Sequence, residues 1–126
     1  MVSNPDKRIS VLVVSLPGFM QNMLREILND RLDMDVVGVA SGGLSAVSMI
    51  QQKPPDLVVI DSNIPVSETR ALISWMKEEF QYICSLALVE NTKQLKEASR
   101  AGADMTLRSY SLPESLDRVL GNMRSK

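Results

Sequence analysis

The sequence predicts an α/β fold, a doubly wound sandwich in which a parallel sheet is covered by helices on both faces. Three features carry that prediction: short apolar, β-branched runs, segments between them whose apolar residues recur at helical spacing, and brief Gly- or Pro-bearing links. Near-continuous apolar strands belong to sheets buried on both sides, and right-handed crossovers place helices on either face.

Ile9 to Ser15, ISVLVVS, reads as the first buried strand, and Pro17-Gly18 breaks it ahead of a helix over Phe19 to Asp30. Met20, Met23 and Leu24 of that helix read as core and core rim. The second unit pairs a strand over Met34 to Ala40 with a helix over Leu44 to Gln51. Between them SGGLSA, Ser41 to Ala46, is glycine-rich but meets neither the GxGxxG nor the GxxxxGKS spacing, so it is a loop and helix start, not a phosphate cradle. The remaining units are Leu57 to Asp61 with Glu68 to Phe80, Ile83 to Val89 with Thr92 to Arg100, and Met105 to Arg108 with Pro113 to Met123. Ser111 stands where an N-cap of the last helix belongs, with Glu114 three residues on.

A length of 126 residues fits one domain with a single core, so residues 1–126 are expected to form one unit. Fourteen Lys and Arg against 15 Asp and Glu leave a net charge of −1, which provides no basic field for direct nucleic-acid binding. Cys84 is the only cysteine and histidine is absent, which excludes internal disulfides, His-based metal sites and histidine acid/base chemistry. No cofactor or metal is expected. The start, MVSNPDKR, lacks the apolar core of a signal peptide, and no apolar stretch approaches the roughly 20 residues that span a bilayer. The expectation is a soluble, cytoplasmic protein without a membrane partner.

One stretch stands out for chemistry: PDLVVIDSNIP, Pro55 to Pro65. Aspartate is depleted from strand interiors because its carboxylate resists burial, so Asp61, closing a Val-Val-Ile run, belongs at the strand's mouth. Open α/β sheets bind ligands at that end. Either Asp61 is a working group in the crevice, or its carboxylate serves the fold by accepting hydrogen bonds in the turn toward Ser62 and Asn63.

Taken together, VLVV in the first strand, DVVGVASGGLSAV across the second, PDLVVIDSNIP at the third and EASRAGADMTLRSYSLPESLDRVL at the end resemble the receiver domains of two-component response regulators. The resemblance spans almost the whole chain and is nearest to receivers that precede helix-turn-helix DNA-binding modules. It implies a flavodoxin-like sheet of five parallel strands in the order 2-1-3-4-5. It also implies that Asp61 occupies the phosphoacceptor position of a phosphorelay. The acidic pair that follows the first strand in the family falls on Ser15 and Leu16, the Ser or Thr ending the fourth strand on Val89, and the lysine after the fifth on Arg108. Arginine keeps that charge but changes a point donor into a planar fork.

Phosphoryl transfer needs charge neutralisation by a metal and a cationic side chain, and Mg²⁺ demands near-octahedral oxygen ligands, usually one or two of them carboxylates. With Ser15 and Leu16 in place of the acids, Asp61 is left with neutral oxygens such as the Asn63 carbonyl. Glu90, beside Val89, is the candidate rescue, depending on where its side chain points. Arg108 is either a solvated charge or a bidentate partner of Asp61.

The function expected is therefore that of an atypical receiver, not an enzyme: a phosphorylation-independent interaction or dimerisation module, regulating transcription through an attached or partner DNA-binding effector. A conventional receiver phosphorylated on Asp61 is the first alternative, and a small-ligand-binding or enzymatic domain on the same superfold is the second. The tail NMRSK is either the end of the domain or the start of a linker. For the partner surface, the resemblance points to the fourth helix, fifth strand and fifth helix, with Lys96, Arg100, Leu116 and Leu120 as contact residues. Trp75 offers a rival surface: an exposed interface anchor, or a ring lying flat over the edge of its helix's apolar stripe.

Overall fold

Five strands, β1 (Ile9–Val14), β2 (Met34–Ala40), β3 (Leu57–Ile60), β4 (Cys84–Val89) and β5 (Met105–Arg108), pair as one parallel sheet in the order β2-β1-β3-β4-β5. The helices between and after them are α1 (Phe19–Asn29), α2 (Gly43–Gln52), α3 (Val66–Glu79), α4 (Thr92–Ala101) and α5 (Leu112–Arg124). The computed structural model describes residues 8–124; all but Arg8 of MVSNPDKR, and Ser125 and Lys126 of the tail, lie outside that range. None of the described helices is long and apolar enough to cross a membrane.

Because side chains alternate across a strand, each central strand feeds two cores. Val11, Val13, Leu57, Val59, Leu86 and Leu88 face one side, where Leu24 and Leu28 of α1 and Leu112, Leu116, Val119 and Leu120 of α5 cover them. Leu12, Val14, Val58, Ile60 and Ala87 face the other, against Ala46 and Ile50 of α2, Leu72, Ile73 and Met76 of α3 and Ala98 of α4. The edge strand β2 carries a register shift between Val11 and Leu12 of its partner, which leaves Val37 without an opposite residue and 42% exposed.

Small boundary shifts have local causes. α3 begins at Val66, two residues earlier than expected, because Pro65 supplies the fixed φ of −53° that leads into a helix. Ser111 does not stand alone before α5: Ser109–Ser111 form a 3₁₀ turn that runs directly into Leu112. At the amino end of β2, Arg31 donates to Asp33 at 2.9 Å and reaches Asp117 of α5 at 2.8 Å. The hydrogen bonds to Asp33, and then those to Asp117, hold the guanidinium above its ordinary pKa.

Two of the expected contact residues are corrected here. Leu116 and Leu120 are 2% and 3% exposed and belong to the core under α5, so they cannot line a protein contact. Their helix must cover one face of the sheet, and their i, i+4 spacing is that of its inward stripe. Leu116→Ala is expected to lower stability by about 2–5 kcal/mol, as for a truncated core leucine. Chemical denaturation measures this, and an unchanged midpoint would place Leu116 at the surface.

Candidate functional site

Parallel strands that cross over in opposite directions from β1 leave a crevice at their carboxyl ends, between β1 and β3. Ser15 leaves β1 and Asp61 leaves β3 at this point, and both extend the ladder by one bond: Ser15 N–H donates to Ala40 O at 2.9 Å, Asp61 N–H to Val14 O at 2.8 Å. The two side chains then meet, Ser15 Oγ donating to Asp61 Oδ2 at 2.7 Å. Both residues are buried, at 0% and 2% exposure.

The neighbouring polar groups close around that bond. Gln21 Nε2 donates to the Ser15 carbonyl at 2.8 Å, and Leu16 N–H donates to Asn63 Oδ1 at 3.2 Å. Leu16 itself is 41% exposed at the rim. Beneath Asp61 a small cavity is lined by Ile64, Ala87, Leu88, Val89 and Ala98 among others, so Val89 offers hydrocarbon to the site, as its identity requires.

A second Ser–Asp pair, of different geometry, stands at the opposite end of the ladder. Ser10 N–H and Oγ donate to Asp56 Oδ2 at 2.8 and 3.1 Å, and Asp56 N–H donates back to Ser10 Oγ at 2.9 Å. The four rungs from Val11↔Leu57 to Val14↔Ile60 therefore lie between two Ser–Asp pairs in one register, each 46 residues apart. Ser85 and Asp104 form a third such pair, with Asp104 Oδ2 accepting from Ser85 N–H at 2.8 Å. The Ser10–Asp56 and Ser85–Asp104 pairs close backbone N–H groups reciprocally, whereas Asp61 meets Ser15 through the two side chains alone.

Glu90 answers the question of its direction. Its carboxylate Oε2 accepts from Ser109 Oγ at 2.6 Å and Ser62 Oγ at 2.9 Å, while its carbonyl accepts from Arg108 Nη1 at 2.8 Å. Ser62 has one hydroxyl proton, and the 3.4 Å separation from Asp61 Oδ1 is the poorer of its two options. The side chain thus ties the loop after β3 to the loop after β5. Hydrogen bonds from Ser109 and Ser62, with the nearby Arg108 charge, hold its carboxyl below the ordinary glutamate range. Arg108 is turned to the Glu90 carbonyl and forms no ion pair with Asp61, so the bidentate alternative is not realised. The nearer carbonyl captures its planar fork.

The donor set does not match Mg²⁺. Asp61 is one carboxylate already holding a hydroxyl proton, Asn63 Oδ1 accepts a backbone N–H, and the Glu90 carboxylate accepts two hydroxyls. Among the described residues no group of three or more acids, histidines or cysteines converges. Each of these oxygens is already engaged by a protein donor, which does not suit a hard ion that demands octahedral oxygen ligands.

A family profile described as the response regulator receiver domain matches residues 11–117. The chain belongs to the response regulator receiver family. The chemotaxis protein CheY of Halobacterium salinarum is 30% identical over 112 residues, covering 86% of this chain and 92% of that protein. Protein-glutamate methylesterase/protein-glutamine glutaminase 1 of Methanospirillum hungatei is 32% identical over 104 residues; the match covers 82% of this receiver but only 28% of the methylesterase. A putative response regulator from Chloroflexus aurantiacus superposes with a TM-score of 0.81 at 20% identity, over 95% of this chain and 100% of that one.

Of the residues singled out from sequence, Asp61, Ser15, Leu16, Val89, Glu90 and Arg108 do gather at this end of the receiver. Ser62 and Ser109, which hold Glu90, were missed; single serines in loops carry no spacing signal. Lys96 and Arg100 are exposed on α4. Trp75 is half-buried and tilts against Phe80 with ring centroids 5.3 Å apart, so its ring packs along the helix. Leu24 is core, whereas Met20 and Met23 are 43% and 37% exposed beside Phe19 at 75%.

Two outcomes follow. Ser15→Ala leaves a buried carboxylate without its hydroxyl donor and should cost about 1–3 kcal/mol in denaturant titration. Because Glu90 has a lowered pKa in the folded receiver, its contribution is present above the ordinary glutamate range and is lost as pH falls through the lowered value. Glu90→Gln should therefore be less stable than wild type at neutral pH, with the gap closing in acid. A gap independent of pH would remove Glu90's charge from the account.

Proposed function

We propose that this receiver signals by contact alone, as a phosphorylation-independent interaction module of a two-component pathway in the cytoplasm. The observation that carries this is the 2.7 Å bond between Ser15 and Asp61, set in the register of a purely structural Ser–Asp pair at the other end of the ladder. An acid at position 15 would repel Asp61 and attract a cation; the hydroxyl instead gives Asp61 a permanent neutral partner. Its 2% exposure also leaves little room for in-line attack on a phosphodonor.

Ordinary switching requires a ligand whose binding energy differs between two states. In this reading Glu90 takes over the linking role that phosphate-centred contacts have in the family, joining the loops after β3 and β5 from within. The receiver is held in one arrangement, ready for a protein partner or a second copy. Exposed Lys96 and Arg100 on α4 remain candidates for setting the register of such a contact, since exposed charges steer more than they bind. A DNA-binding effector, attached or separate, would supply the nucleic-acid contact that a net charge of −1 does not.

Intact-mass measurement after incubation with acetyl phosphate and Mg²⁺ tests this reading. The expected result is no phosphoryl adduct in wild type. A stoichiometric adduct lost in Asp61→Asn would establish the conventional phosphorylated receiver instead.

A further inference from the structure

Between α2 and α3 lies an open groove of about 610 Å³, within the size range of small binding sites. Leu44, Val47, Ala71, Leu72 and Trp75 make its floor and walls, and Glu68 is the only charged residue that lines it. Leu44 is 89% exposed, so a large apolar side chain stands in water at the rim. Helix α2, GLSAVSMIQQ, contains no charged residue, although one of its faces meets solvent. Amphipathic surface helices normally place charge there.

The charges of α3 are sorted about this groove. Its two cations face away: Arg70 pairs with Glu97 of α4 at 3.8 Å, and Lys77 reaches Asp104 at 3.9 Å. Of its carboxylates Glu68 lines the groove, while Glu78 and Glu79 are exposed beyond that lining, at the carboxyl end of the helix. Glu68 lies seven residues before Trp75, and Glu78 and Glu79 follow Trp75 by three and four, positions that share one helical face. One Glu68 oxygen, Oε1, accepts the Gly43 amide at 2.9 Å, which pins the carboxylate at the mouth. The nearest cation of α2, Lys53, stands at its far end as the C-cap.

From this we infer that the α2–α3 groove is a docking site for a partner's basic amphipathic helix, one whose apolar stripe covers Leu44, Ala71 and Trp75 while its Lys or Arg residues meet Glu68 and the acidic end of α3. Helix-in-groove recognition uses anchors one turn apart, and the spacing of Ala71 and Trp75 on α3 provides a matching row. Charge complementarity selects a basic helix: an acidic one would meet Glu68 in the groove and, past its end, the exposed Glu78 and Glu79 of α3. The inference rests on the reading of the receiver as a contact module and names the chemistry of the contact.

Trp75 is the only tryptophan in the chain, so its emission reports directly on the groove. The full-length protein would be titrated with a synthetic helical peptide carrying leucines on one face and lysines on the other, and with the same peptide bearing glutamates in place of lysines. The Leu/Lys peptide should give a saturable blue shift that weakens with salt, and the Leu/Glu peptide none. Ala71→Arg, its folding verified by circular dichroism, puts a cation on the groove floor and should reduce affinity by about tenfold or more. Glu68→Gln keeps the acceptor for Gly43 and should weaken binding by about two- to fivefold. Glu114→Gln on α5 should leave it unchanged. Equal response to both peptides, indifference to Ala71→Arg, or a blue shift that grows with protein concentration alone would overturn the proposal, the last by assigning the groove to a second copy. Repeating the titration with acetyl phosphate and Mg²⁺ separates the two proposals, because phosphodonor-dependent binding leaves the groove standing and sinks only phosphorylation independence.

Discussion

The hydroxyl of Ser15 and the carboxylate of Asp61 meet at 2.7 Å where two central strands have just run out of backbone partners. Gln21, Leu16 and Asn63 close around that bond. A buried carboxylate is costly unless it is paired or hydrogen-bonded, and the register of β1 on β3 places a donor directly opposite it. At the other end of the ladder Ser10 and Asp56 also hydrogen-bond, there with both backbone N–H groups taking part. The bond gives the buried acid at position 61 a hydrogen-bond partner.

The clasp around Glu90 is the second consequence. With Asp61 engaged by Ser15, Ser62 is available to Glu90, and Ser109 joins it from the other side of β4. Arg108 then finds the Glu90 carbonyl nearer than the Asp61 carboxylate. The loops after β3, β4 and β5 are thus linked by side chains of the chain itself. The groove between α2 and α3, lined by Leu44, Trp75 and Glu68, is the proposed docking face.

Much of this was legible in the sequence because periodicity and sharp turns are local. The five βα units, the sheet order implied by the resemblance, and the gathering of Ser15, Asp61, Val89, Glu90 and Arg108 all follow from which strand ends they close. What was not legible depends on direction. Leu116 and Leu120 share a stripe whose inward sense only packing decides, and Met23 and Leu24 are neighbours of which one is core and one is exposed. Whether Arg108 bonds Asp61 or Glu90 turns on a guanidinium rotamer. The serines at 62 and 109 belong to loops, where no repeat announces a partner.

The central claim is that Ser15 and Leu16 have converted a metal-assisted acceptor into a structural rung. Calorimetric Mg²⁺ titration of the wild type beside the Ser15→Asp/Leu16→Asp double variant addresses it most directly. On this account the wild type shows no binding at cellular Mg²⁺ concentrations, while the double variant, with three carboxylates at the crevice, gains a saturable Mg²⁺ site. Saturable Mg²⁺ binding by the wild type, abolished by Asp61→Asn, would contradict it.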